Sequence, residues 1–353
     1  MLATMLSRRH TLLAALLATP LASRAEGPLR DLLRSRHPSE PAPAHPADVR
    51  WTDASRQRTL PLRLRLPTGD GPVPLVLFSH GLGGSVEAGS LWAQAWAEAG
   101  IATLHLQHPG SDTELLRSEG VAALRRAANA EQLVQRALDV RFVLDELQRR
   151  RAELPLLSRL RLDAVGMAGH SYGAHTTLAV AGQNTPDGRQ APMAEPRLRA
   201  FAAFSPSPGQ GTRPVATPGA FTDITRPVLC LTGSLDADPF APEGSQRGSS
   251  GLHRREVYDG LPAGVAGRVG QKAELWLDAA DHMSFAGQDR GRLGRLGRAR
   301  DPATEQQSPR HRALITATST DWWRAHLLGD ASARQRLSEA PQGSGPQDEW
   351  RTA

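Results

Sequence analysis

Leu60, Leu62, Leu64 and Leu66 alternate with other residues, the period-two pattern of a strand with one buried face. Beyond them the pattern changes. Val73–Phe78, Ile101–Leu106, Leu162–Met167, Ala200–Phe204, Val228–Leu231 and Ala273–Leu277 are short apolar runs, as expected of strands covered on both faces. Between them, Glu131–Arg150 sets Leu133, Ala137, Val140, Leu144 and Leu147 at three- and four-residue steps, which predicts a helix with one apolar stripe. Val86–Ala99, Ser171–Gly182 and His311–Leu328 predict further helices. Strands that alternate with helices predict an α/β fold, with a mostly parallel central sheet of about eight strands and helices on both faces. Segments 109–128, 207–225, 239–270 and 286–310 read as long connections, some of them expected to form the rim of a pocket.

The 353 residues fit one large domain with appendages, and 39% hydrophobic residues with seven Trp suffice for its core. That domain is expected over 51–337, preceded by a flexible leader, 26–50, and followed by a mobile C-terminal tail, 338–353. The net charge of +6 weakens on inspection, because Arg8, Arg9 and Arg24 supply three of those charges and leave +3 beyond residue 25. That is a poor footprint for nucleic acid, and no nucleic-acid partner is expected. Ser7-Arg8-Arg9, the apolar run Leu12–Ala18 and the small residues of Ser23-Arg24-Ala25 together read as a twin-arginine export signal over 1–25, cleaved after Ala25. The run is too short to span a bilayer, so the mature chain is expected in the periplasm or outside the cell without stable membrane insertion. A short N-terminal helix is the competing interpretation. The single cysteine, Cys230, cannot form an internal disulfide and neither requires nor forbids that destination.

Chemistry enters at Gly169-His170-Ser171-Tyr172-Gly173, directly after one predicted strand and directly before a helix-forming stretch. In this strand-turn-helix context the serine sits at a sharp turn. Glycines two residues to either side let the backbone reverse and lift the hydroxyl into the open. The pentapeptide alone is weak, and a glycine-flanked turn without reactivity is its plain alternative. A serine hydroxyl is hardly ionised at neutral pH, so it needs a base and a group that orients the base. At such elbows the partners follow in the order serine, acid, histidine. The strand Val228–Leu231 runs into Thr232-Gly233-Ser234-Leu235-Asp236-Ala237-Asp238, which offers Asp236 as the acid and Asp238 as its rival; either is also at home as an ordinary turn residue. The strand ending at Leu277 leads to His282, the expected base. Activity should then rise with pH through a value near the histidine reference of about 6.5.

A tetrahedral intermediate needs preorganised amide donors. His80-Gly81-Leu82-Gly83-Gly84 follows a strand and has the small residues of an oxyanion loop, so the backbone amides of Leu82 and Tyr172 are the expected donors. His80 reads as a loop-stabilising residue. No His-Glu-x-x-His is present, and no metal and no cofactor are expected. Trp322 and Trp323 read as packing, and the basic strip Gly291–Arg300 as a solvated loop.

With these residues assembled, the chain resembles the α/β-hydrolase superfamily and, within it, the predicted dienelactone-hydrolase-like group that is also similar to platelet-activating-factor acetylhydrolases. The resemblance runs from about Trp51 to about Leu337 and is carried by Leu75–Gly84, Gly169–Gly173, Leu231–Asp236, Ala279–Phe285 and His311-Arg312-Ala313. It implies the α/β-hydrolase fold and a serine hydrolase acting on a small-molecule carboxylic ester. Two departures matter. Dienelactone hydrolases proper use a cysteine where this chain has Ser171. The acetylhydrolases carry their acid after the strand that here ends Phe204-Ser205-Pro206, where no Asp stands. A peptidase, a thioesterase or a binding protein without turnover remain the alternatives.

Overall fold

The computed structural model describes residues 47–184, 193–209, 219–241, 244–263, 272–288 and 300–353. The expected export signal, 1–25, and residues 26–46 of the expected leader lie outside the described residues. The strands are β1 (Ala47–Asp53), β2 (Arg58–Arg65), β3 (Val73–Ser79), β4 (Ala102–Leu106), β5 (Leu160–His170), β6 (Leu198–Phe204), β7 (Val228–Leu235), β8 (Lys272–Asp281) and β9 (Glu349–Thr352). They form a nine-stranded sheet in the order β1-β2-β4-β3-β5-β6-β7-β8-β9. The six strands from β4 to β8 in that order pair in parallel, while the β1–β2, β2–β4 and β8–β9 pairs are antiparallel.

The helices are α1 (Ser90–Glu98), α2 (Thr113–Ala127), α3 (Ala130–Arg150), α4 (Pro155–Ser158), α5 (Tyr172–Ala181), α6 (Arg255–Gly260), α7 (Pro302–Leu327) and α8 (Ala331–Arg336). Every residue of β3 is buried, and its side chains divide between two cores. Leu75 and Leu77 join Val140 and Leu144 of α3 and Leu178 of α5 on one face. Val76 and Phe78 join Trp92 and Trp96 of α1 and Trp322 and Trp323 of α7 on the other. Burying one such side chain stabilises the fold by about 1.5–3 kcal/mol, which is why β3 is apolar from Val73 to Phe78 rather than alternating.

One feature of the topology prepares a site. From β3 the chain crosses to β4 on one side, whereas from β5 it crosses to β6 on the other, and β3 and β5 are neighbours with Ser79 opposite Gly169. Connections that leave adjacent parallel strands in opposite directions open a crevice at their carboxyl ends. The loop after Ser79 and the turn after His170 meet there.

The structure corrects several boundaries. The expected connection 109–128 contains α2, whose first turn is capped by the Asp112 side chain accepting the Leu115 amide. Only Ala123 and Leu124 of this helix are buried, and Gly120 interrupts it at φ 78°, so no apolar stripe announces it. Helix α7 begins at Pro302, inside the expected loop 286–310, with Asp301 accepting the Ala303 amide. Residues 289–299 of that loop lie outside the described residues. The expected leader gives up its last residues to β1. The expected mobile tail 338–353 instead closes the sheet: β9 pairs with β8, Trp350 donates from Nε1 to the Leu337 carbonyl, and Arg351 bonds Glu274. A four-residue edge strand with one apolar residue has too little period to be seen in the sequence. Among the described residues no helix is long and apolar enough to cross a membrane.

Candidate active site

Ser171 stands between β5 and α5 at φ 55°, ψ −115°, a conformation that costs a non-glycine residue about 1–3 kcal/mol. The turn closes only because its flanks carry no side chains. A Cβ on Gly173 would lie 1.9 Å from the Ser79 carbonyl oxygen, and one on Gly169 would lie 2.2 Å from that of Gly173. Ser205, just past β6, and Ala279, in β8, also have positive φ, at 55° and 56°. Three strained residues thus gather at the carboxyl ends of β5, β6 and β8, a pattern that marks functional sites more than scaffolds.

The structure brings Ser171, His282 and Asp236 together. Ser171 Oγ is 3.0 Å from His282 Nε2, and His282 Nδ1 is 2.9 Å from Asp236 Oδ1. Because Asp236 can only accept, Nδ1 carries the imidazole proton and Nε2 accepts from the serine hydroxyl. The base is held from its own backbone as well. His282 opens a helical turn that is capped reciprocally by Asp281 and Ser284, and Arg300 grips the Asp281 carboxylate through Nε and Nη2. Asp238, the rival acid, is engaged elsewhere: it accepts the Phe240 amide and the Arg247 guanidinium.

Asp236 has no exposed surface. Burial alone would push its carboxyl up, but Arg254, His282 and Ser205 outweigh that and hold it at about 2. Its Oδ2 accepts from Thr232, and its Oδ1 accepts from Ser205 at 2.8 Å. Ser205 Oγ also lies 2.8 Å from His282 Nδ1, so one hydroxyl touches both partners. Arg254 is 3% exposed and places Nε 2.9 Å from Asp236 Oδ1. His170 donates from Nε2 to the His282 carbonyl at 3.0 Å. Burial drives His170 down to about 3, which keeps it neutral.

Sequence reasoning missed Ser205, Arg254, Thr232 and His170 in these roles. Ser205 had a signal, since it ends a buried strand as Asp236 does. Arg254, in a segment read as a loop, had none.

The loop at the end of β3 adjoins Ser171, since a Cβ on Gly81 would fall 3.4 Å from Ser171 Cβ. Its orientation has a traceable cause. His80 Nε2 accepts the His108 amide, so its proton sits on Nδ1 and is donated to the Gly81 carbonyl at 2.6 Å. The Gly84 amide bonds the same oxygen at 3.0 Å. In a trans peptide the C=O and N–H point opposite ways, so anchoring the Gly81 oxygen fixes the direction of the Leu82 N–H. Neither the Leu82 amide nor that of Tyr172, the first residue of α5, is bonded to a carbonyl among the described residues.

Behind this loop lies a second Ser-His-Asp arrangement. Ser79 Oγ is 2.9 Å from His108 Nε2, and His108 Nδ1 is 3.0 Å from Asp139 Oδ2. Ser79 and His108 have no exposed surface, and neither has Asp139, which also binds Arg56 and Arg58. With no access for a substrate, this trio braces the loop through the His108 amide. Trp322 and Trp323 are fully buried, far into the core, as packing residues. Among the described residues no three His, Cys, Asp or Glu side chains are grouped to hold a metal ion. Compared with known proteins, the chain matches no family model and no curated protein sequence.

Proposed function

We propose that this protein is a serine hydrolase of the α/β-hydrolase fold that cleaves carboxylic esters of small molecules through Ser171, His282 and Asp236. The observation that carries the reading is the unbroken hydrogen-bond line from Ser171 Oγ through the imidazole to Asp236, at 3.0 and 2.9 Å. Its position at the topological switch point and the strained φ of Ser171 support it. The sheet topology and the motif segments also support kinship with the dienelactone-hydrolase-like group.

His282 Nε2 takes the Ser171 proton as Oγ bonds to the ester carbonyl carbon, and the carbonyl oxygen becomes an oxyanion. The Leu82 and Tyr172 amides donate to that oxyanion. Collapse breaks the carbon–oxygen bond to the alcohol, which leaves with the proton from His282, and Ser171 stays acylated. Water then gives a proton to His282 and attacks the acyl carbon; the acid departs and Ser171 recovers its proton. Asp236 holds the imidazole in the required tautomer and steadies its charge throughout.

Matched p-nitrophenyl acetate, thioacetate and p-nitroanilide substrates test the reading. Turnover fastest on the oxygen ester, and lost in Ser171→Ala, is the expected result. Faster anilide or thioester cleavage would make the protein a peptidase or thioesterase, and no turnover of any would make it a binding protein. We further propose export by the twin-arginine route. A Arg8→Lys, Arg9→Lys chain should then stay in the cytosol, and unchanged export would refute that route.

A further inference from the structure

We propose that Arg254 is a positioning residue of the triad, whose buried guanidinium keeps the Asp236–His282 pair from taking up a proton and so carries hydrolysis to lower pH. This rests on the reading of Ser171, His282 and Asp236 as a working triad. Arg254 is fixed by carbonyl groups on every side. Its Nε donates to the Asp236 carbonyl at 2.6 Å, Nη1 to those of Ser205 and Pro206 at 3.2 and 3.1 Å, and Nη2 to that of Ala237 at 3.1 Å. Those bonds aim it at the two residues that matter. Nε stands 2.9 Å from Asp236 Oδ1, and Nη2 stands 3.2 Å from His282 Nδ1.

The second contact is not a hydrogen bond in the resting tautomer, because both nitrogens carry protons and the Nδ1 proton faces Asp236. It sets a permanent positive charge beside the imidazole. Burying a guanidinium this deeply is costly, and here four carbonyls and the Asp236 carboxylate offset that cost. With Arg254 present, the buried unit of Asp236 carboxylate and Arg254 guanidinium carries no net charge. Without it, one negative charge is left in a place closed to water, and such a unit binds a proton more readily.

The other ionisable groups around the pair do not substitute for Arg254. Asp238 and Arg247 face it from the loop after β7 and neutralise one another. Asp281 is paired with Arg300. His170 at the end of β5 and His175 on α5 are held neutral by burial, at about 3 and about 4, and burial also lowers His253 to about 4.

The test compares wild type with Arg254→Met, Arg254→Gln and Arg254→Lys, using the rate constant for fluorophosphonate labelling between about pH 4 and 8. A labelling rate constant reads folded molecules alone, so partial loss of folding does not obscure it. The midpoint of the acid limb should move up by about one pH unit or more in the Met and Gln variants and stay near wild type in the Lys variant. Midpoints unchanged in Met and Gln, or displaced equally in Lys, would overturn the role of the charge. Labelling that survives in Ser171→Ala would instead overturn the triad itself, a separate and recognisable failure.

Discussion

His170 donates from Nε2 to the carbonyl oxygen of His282 at 3.0 Å, so the residue preceding the nucleophile holds the backbone of the base. The two rings lie 4.8 Å apart between centroids. One strand end thereby fixes both partners of the proton transfer.

Loss of that bond should leave Ser171 in place while freeing the His282 turn. His170→Ala is expected to lower kcat by about 10- to 100-fold with little change in KM, since a displacement of about 1 Å at a reacting pair costs on that order. His170→Gln, which keeps a donor, should recover part of the loss. Steady-state kinetics of the two variants on an ester substrate check this, and equal losses in both would separate His170 from the positioning of His282.

Asp139 lies far from the reacting atoms in the hydrogen-bond sequence but braces His108, whose amide orients His80 and through it Gly81. Asp139→Asn leaves Arg56 and Arg58 without their shared carboxylate. The expected cost is about 3–5 kcal/mol of stability, as for other broken buried pairs. A lower kcat at unchanged KM should accompany it, because the Leu82 amide loses its fixed direction. Urea unfolding and kinetics measure the two effects on the same sample.

Several buried histidines make acid a specific threat to the fold. Burial lowers His105 to about 3 and His170 to about 3, and burial with the nearby Arg136 lowers His108 to about 4. Each stays neutral in the folded protein at a pH where the unfolded chain, titrating near 6.5, is protonated. The unfolded state therefore binds more protons, and stability falls as pH drops from about 6.5 toward the folded values, by up to about 1.4 kcal/mol per pH unit for each histidine. The carboxylates act lower down. Asp139 and Asp236, both held at about 2, contribute stability above about pH 4 that is lost as pH falls through their folded values. Urea midpoints between about pH 7.5 and 4.5 should decline steadily, with proton uptake on unfolding, and a flat series would contradict the neutral assignment of these histidines.

The parallel strands were legible in the sequence because each is a mostly apolar run, a consequence of two covered faces, interrupted at positions such as Thr103, His105, Asp163 and Glu274. Ser171, Asp236, His282 and Leu82 were legible because each follows such a run, and strand ends at one edge of a parallel sheet converge. What was hidden lacked a local period. Helix α2 buries only two residues, β9 has four residues, and Arg254 and Ser205 act through contacts across 18 and 31 positions of chain from Asp236. Ser79-His108-Asp139 was invisible for a related reason: its residue types match a triad, and its burial, together with the ordinary backbone of Ser79, separates it from the accessible one.

That resemblance between two Ser-His-Asp sets makes the site of covalent labelling the most direct measurement. Fluorophosphonate reacts with an activated serine by forming an oxygen–phosphorus bond and releasing fluoride, with the serine proton taken by the base. Mass mapping of the labelled protein should find the adduct on Ser171 alone, with labelling abolished in Ser171→Ala and strongly slowed in His282→Ala. An adduct on Ser79 or another serine, or full labelling of Ser171→Ala, would contradict the assignment of Ser171 as the nucleophile.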